Sequence, residues 1–178
     1  FNSPHGACKT CDGLGVEQIF DVDKIVYDDT LSLAQGAIRG WNKLNVFYYQ
    51  QLKAIANHYD FSLETPFCEL PEKFQDVLLH GSGKEKIKLK FVSHKGTVFE
   101  KEKPFEGVIP NIQRRYHDAD SNTIREELAK LMTIKKCSGC DGKRLRKGAC
   151  AVKVLGKNLP EITDWSIEDA HQFFETLE

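Results

Sequence analysis

The stretch Cys8-Lys9-Thr10-Cys11-Asp12-Gly13 decides how this chain is read. Two cysteines separated by two residues offer half of a tetrahedral metal site, so the other half must be found elsewhere. One later stretch has the same form. It is Cys137-Ser138-Gly139-Cys140-Asp141-Gly142, in which Asp-Gly follows the second cysteine as it does after Cys11. Cys8, Cys11, Cys137 and Cys140 are the candidate ligands, and zinc is the candidate ion, because four thiolates satisfy its tetrahedral preference.

About 125 residues separate the two pairs. Closing so long a loop costs on the order of 4 kcal/mol, whereas a structural zinc site contributes an apparent 10 to 16 kcal/mol, roughly. The metal wins that comparison, and the cost falls further if the intervening chain folds by itself with its ends together. The expected organisation is therefore residues 1–15 as the first half of a zinc knuckle and 16–134 as an inserted domain. Residues 135–178 supply the second half, with a strand and a C-terminal helix.

Three other readings compete. A redox Cys-x-x-Cys sits at a helix start after a strand, where the thiol pKa falls, and the Asp-Gly turn after each pair argues against that setting. A zinc domain of the chaperone-cofactor type repeats Cys-x-x-Cys-x-Gly-x-Gly at close spacing. Cys8 begins such a repeat, but Cys137 continues as CDGKRL and lies too far away. The third reading completes each pair with ligands outside this segment, and spacing leaves it open. Cys68 and Cys150 stand alone and read as small buried hydrophobes.

Composition sets the frame. The 178 residues are 40% hydrophobic and 29% charged with a formal net charge of −1, as in an ordinary soluble globular protein with one core or a small second module. Global charge selects no partner. No apolar run approaches the roughly 20 residues that cross a bilayer, and no secretory leader pattern opens the chain. Met132 is the only methionine, so a chain beginning at Phe1 reads as one that has lost a leader or, in preference, as a segment of a longer protein.

Local patterns predict the elements. Val16 to Phe20 is a short strand, and SLAQGAI is a loop or short helix. In NKLNVFYYQQLKAIANHYDF, Phe47 or Tyr48, Leu52, Ile55, Ala56 and Tyr59 recur at helical steps. PEKFQDVLLHG reads as a helix with Pro71 near its start and Gly81 at its end. Lys84 to Phe91 alternates strictly, with Lys84, Lys86, Lys88 and Lys90 on one face and Ile87, Leu89 and Phe91 on the other. A turn at Ser93–Gly96 into a strand from Thr97 to Lys103 completes a hairpin. Thr123 and Glu126 form a capping-box pattern for a helix ending near Met132, with Glu126 and Lys130 in favourable order. Ala151 to Leu155 reads as a strand, and Ser166 caps a last helix carrying Glu168 and Asp169 in its first turn. The fold class is α+β: an inserted α/β domain with a β-hairpin and several helices, closed at its base by the four-cysteine knuckle.

HGSGKE imitates a phosphate-binding loop, but the full pattern requires glycine where Leu78 stands and Ser or Thr where Glu85 stands. Nucleotide binding there is rejected. The six histidines show no catalytic pairing with serine or cysteine. What remains is basic: the lysine row, Arg114 and Arg115 beside Tyr116, and KRLRK after the second knuckle. Such residues neutralise nucleic-acid phosphates without reading bases. A solvated strand face gives the same pattern, and Glu85, Glu100 and Glu102 lie close by.

GACKTCDGLG, LSLAQGAIRGW, HGSGKE, PFEGVIPNIQRRY, REELAKLM, CSGCDGKRL and SIEDAHQFF, in that order, resemble the UvrA family, the damage-recognition ATPases of bacterial nucleotide excision repair. The resemblance covers essentially the whole chain. It implies a zinc module interrupted by an inserted DNA-contacting domain, with structural zinc on Cys8, Cys11, Cys137 and Cys140. The family carries a further Cys-x-x-Cys upstream of the first pair, absent here. The nucleotide-binding loop, the LSGGQ-like signature and the acidic magnesium motif are also absent, so ATP is expected only outside this segment, which is expected to be non-catalytic. The resemblance further implies damaged double-stranded DNA as partner, UvrB and a second UvrA copy as partners through other regions, a cytoplasmic setting and no membrane. Lys84, Lys86, Lys88, Lys90, Arg114 and Arg115 are the expected DNA contacts. The competing expectation is a purely structural or protein-interaction zinc module.

Overall fold

Apolar positions repeat only over short stretches broken by glycine, proline and aspartate, and the elements are correspondingly short. The computed structural model describes residues 3–92 and 98–177, and of residues 90–92 and 98–99 it describes the backbone alone. In chain order the elements are β1 (Val16–Phe20), α1 (Val22–Ile25), α2 (Val46–Tyr59), a 3-10 turn (Phe67–Glu69), α3 (Glu72–His80), β2 (Lys86–Val92) and β3 (Val98–Pro104). There follow α4 (Val108–His117), α5 (Asn122–Ala129), β4 (Met132–Lys136), α6 (Lys147–Cys150), β5 (Lys153–Val154), β6 (Lys157–Asn158), α7 (Leu159–Thr163) and α8 (Ile167–Glu175). The fold is α+β, and among the described residues β1 pairs with β4, β2 with β3 and β5 with β6. The chain divides into two compact units: Phe20–Met132, and Phe1–Ile19 together with Thr133–Glu178.

In the unit Phe20–Met132, Asn45 starts α2 by accepting the Tyr48 backbone N–H at 3.3 Å, and Leu52, Ile55 and Ala56 turn into the core. Of the two aromatic candidates, Tyr48 joins the inward face, stacked on Trp41 at 4.4 Å, while Phe47 is 53% exposed. Helix α2 packs against β2. That contact explains the alternation in the strand: Ile87 and Leu89 are fully buried while Lys86 and Lys88 are exposed. The β2–β3 hairpin is antiparallel, with Lys86 opposite Pro104, Lys88 opposite Glu102 and Lys90 opposite Glu100. The expected turn at Ser93–Gly96, Thr97 and the side chains of Lys90 and Phe91 lie outside the described residues.

Helix α3 begins after Pro71 and ends at Gly81, as its sequence predicts. Helix α4 has no counterpart in the sequence reading. Pro110 looks like a breaker, yet it falls in the first turn, where its missing N–H removes no helical bond. Gly107 precedes α4 at φ +91°, and a Cβ there would lie 2.5 Å from the Gly81 nitrogen at the end of α3. Backbone meets backbone at this junction, which no side chain permits. The expected Thr123–Glu126 capping box does not form. Ser121 occupies the cap position without a side-chain hydrogen bond, which places Thr123 inside α5, and Lys130 pairs with Glu127 rather than Glu126.

In the unit of Phe1–Ile19 and Thr133–Glu178, the strand expected over Ala151–Leu155 is shorter and belongs to the two-residue hairpin β5–β6. Asn158 and Glu161 form a reciprocal capping box on α7. Ser166 caps α8 by accepting the Asp169 N–H at 3.1 Å, with Glu168 and Asp169 in the first turn. Apolar burial in this unit is sparse: its buried cluster is the four cysteines themselves. Among the described residues no helix is long and apolar enough to cross a membrane.

Candidate metal centre

The two knuckles are copies of one local structure, offset by 129 residues. Asp12 (φ +48°) and Gly13 (φ +85°) are left-handed in the first, and Asp141 (φ +51°) and Gly142 (φ +80°) in the second. Aspartate tolerates that region better than most residues and glycine enters it freely, which is why Asp-Gly recurs after each pair. Reciprocal hydrogen bonds lock the copies together. The Cys8 N–H donates to the Arg144 carbonyl at 2.9 Å, and the Cys137 N–H donates to the Gly15 carbonyl at 3.0 Å. Arg144 is thus the counterpart of Gly15, and it too is left-handed, at φ +64°.

These bonds gather the four sulfurs. Cys8 Sγ lies 4.0 Å from Cys137 Sγ and Cys11 Sγ lies 3.7 Å from Cys140 Sγ, and all four are within 4.8 Å of one another. Zn–S bonds of 2.3 Å in a tetrahedron require sulfurs about 3.8 Å apart. The tetrad therefore has zinc dimensions, and it lies far outside the roughly 2.05 Å of a disulfide. All four cysteines are buried, which makes the site closed in the manner of structural rather than catalytic zinc. The Gly15 N–H donates to Cys11 Sγ at 3.2 Å, further stabilising negative sulfur.

Without a cation the thiols divide unequally. Backbone N–H groups of Cys11 and Thr10 bring Cys8 down to about 6, whereas burial pushes Cys140 up to about 12 and also raises Cys137. Four adjacent thiolates repel one another, and a bound divalent ion is the charge that lets all ionise together.

The residues expected to contact DNA are differently placed. Lys84 precedes β2, and Lys86 and Lys88 project from it. Lys88 is engaged: its Nζ lies 3.8 Å from Glu102 across the hairpin. Arg114 donates two hydrogen bonds to Glu106, at 2.8 and 3.1 Å, and these bonds hold that carboxylate below the usual range. Arg115 places its guanidinium 5.8 Å from the centroid of the Tyr48 ring. The lone cysteines depart from the buried reading: Cys68 is exposed, and Cys150 is half-buried with its thiol 3.8 Å from the Leu145 carbonyl. Sequence reasoning missed Glu106 as the partner of Arg114, because the two are joined only by the turn of α4.

A four-cysteine cluster assembled from two distant chain segments, with a compact α+β unit in the chain between them, defines the class. Residues 21–130 match the family model of the UvrA DNA-binding domain, and the chain belongs to that family. It is 52% identical over 177 residues to UvrABC system protein A of Vibrio parahaemolyticus, covering 99% of this chain and 19% of that protein. It is 48% identical over 178 residues to UvrABC system protein A of Neisseria meningitidis serogroup B, again spanning 19% of its length. The crystal structure of UvrA2 from Deinococcus radiodurans shares the fold, with a TM-score of 0.66 at 21% identity, covering 98% of this chain and 22% of that one.

Proposed function

We propose that this chain is a duplex-DNA-contacting segment of a bacterial excision-repair protein, built on a zinc held by Cys8, Cys11, Cys137 and Cys140. The observation that carries the reading is the coincidence of the cysteine tetrad with a UvrA DNA-binding domain match over the residues between its two pairs. Zinc supplies rigidity: it fixes the two chain ends from which the inserted domain, residues 16–134, emerges. The lysine row supplies attraction to phosphates, with Lys84, Lys86, Lys88 and Lys90 as contacts beside Arg114 and Arg115. Sequence-independent contact suits recognition of damage, because chemically unrelated lesions share distortion of the duplex rather than a base sequence. The segment acts without catalysis in a cytoplasmic protein. ATP hydrolysis, UvrB binding and pairing with a second UvrA copy fall to other parts of the longer chain.

The ion pairs Lys88–Glu102 and Arg114–Glu106 favour a second reading, in which this face is solvated and the module is structural or binds protein. Salt dependence separates the two. Replacing Lys86 and Lys88 with Glu is expected to weaken binding to undamaged duplex and to flatten the slope of log affinity against log salt. An unchanged slope would remove the lysine row from the contact surface.

A further inference from the structure

KRLRK, Lys143 to Lys147, belongs to neither the cysteine tetrad nor the residues matched by the DNA-binding family model. It is the densest part of a strongly basic stretch. Residues 133–158 carry eight lysines and arginines against one acid, Asp141. Beside the knuckles lies an open groove of about 1200 Å³, and Lys9, Lys136, Lys143 and Arg144 line it together. All four are exposed. Among the described residues none of the four side chains has an ion-pair or hydrogen-bond partner, in contrast to Lys88 and Arg114. Asp12 and Asp141 also line the groove, but both serve the left-handed turns that close the knuckles. Asp164, at the end of α7, completes the acidic share.

Arg144 adds an independent observation. It stands in left-handed backbone, at φ +64°, where the first knuckle uses Gly15. A long β-substituted side chain is disfavoured there, so stability alone would select glycine. Strain retained at one copy of a repeated structure points to use of the side chain.

We infer that the groove beside the cysteine tetrad is a second binding surface for the phosphodiester backbone of duplex DNA, made by Lys9, Lys136, Lys143 and Arg144. The inference rests on the duplex-binding reading above and adds to it a contact made by the metal module itself. Phosphate oxygens would satisfy the four cations that have no partner among the described residues, and the contact would be independent of base sequence.

The test measures binding of the whole chain to an undamaged duplex between 50 and 200 mM salt, for four proteins. They are the wild type, the groove variant Lys9→Gln/Lys136→Gln/Lys143→Gln, the single variant Arg144→Gly and the hairpin variant Lys86→Glu/Lys88→Glu. Each phosphate contact contributes about 0.9 to the slope of log affinity against log salt. The groove variant is expected to flatten that slope by about 2 to 3. Arg144→Gly is expected to flatten it by about 1 while its melting temperature stays level or rises, an outcome that a structural role for the side chain does not give. Unchanged slopes in both groove proteins, with a flattened slope in the hairpin variant, would overturn the groove and leave duplex binding by the hairpin standing. Absence of wild-type binding at 50 mM salt would overturn both.

Discussion

Gly139 sits between Cys137 and Cys140, and a Cβ there would run into the Thr10 side chain of the opposite knuckle and lie 3.4 Å from Cys8 Sγ. Overpacking of this kind costs about 1 to 3 kcal/mol. Gly139→Ala is therefore expected to lower zinc affinity about tenfold or more, read by competition with a chromophoric chelator. Equal affinity would mean that the knuckles can separate without loss. The thiols supply a second expectation at this scale. Burial keeps Cys137 and Cys140 protonated near neutral pH, and Cys8, at about 6, is already ionised at pH 7.5. Zinc must displace at least those two protons, so affinity rises with pH, by at least about 100-fold per unit between pH 7 and 8. A titration in two buffers of different ionisation enthalpy counts the protons, and release of none would contradict the tetrad. The cysteines and the repeated Asp-Gly were legible because residue type and turn chemistry coincide there. Arg144 was not, because nothing in an arginine's identity announces left-handed backbone.

At the scale of elements, the junction of α3 with α4 is set by Gly107, whose φ of +91° and backbone contact with Gly81 exclude a side chain. Gly107→Ala is expected to destabilise the chain by about 2 kcal/mol or more, measured as a shift in the urea midpoint at unchanged slope. A shift below a few tenths would show that the junction yields. The hairpin gives a sharper functional expectation. Glu102 neutralises Lys88 across β2 and β3, and an exposed pair of this kind is worth about 0.2 to 1 kcal/mol. Freeing Lys88 by Glu102→Gln should strengthen duplex binding a few-fold if the row grips phosphates, and should change nothing if that face is merely solvated. Helix α2, α3, β2 and α8 were legible because their apolar period or capping residues lie within one element. Helix α4 was masked by Pro110, and β4 by distance, since its partner β1 is more than a hundred residues away.

At the scale of the whole molecule, the buried apolar core belongs to the unit Phe20–Met132, whereas the buried cluster of the other unit consists of its four cysteines. Most of the hydrophobic stabilisation therefore lies in the insertion. On the proposed reading the knuckle depends on metal, because a small unit with little apolar burial cannot offset its conformational entropy. The α+β class was legible from local patterns and the four candidate ligands from the repeated Cys-x-x-Cys, whereas spacing left open whether the two pairs share one site. The groove was not legible, because Lys9 of the first knuckle meets Lys136, Lys143 and Arg144 of the second across most of the chain's length. The most direct test is zinc content per chain, measured on the wild type and on Cys137→Ser/Cys140→Ser. One zinc per chain, lost in the variant, is the expected result. Zinc that survives the loss of Cys137 and Cys140, or a wild type that holds none, would contradict the shared centre.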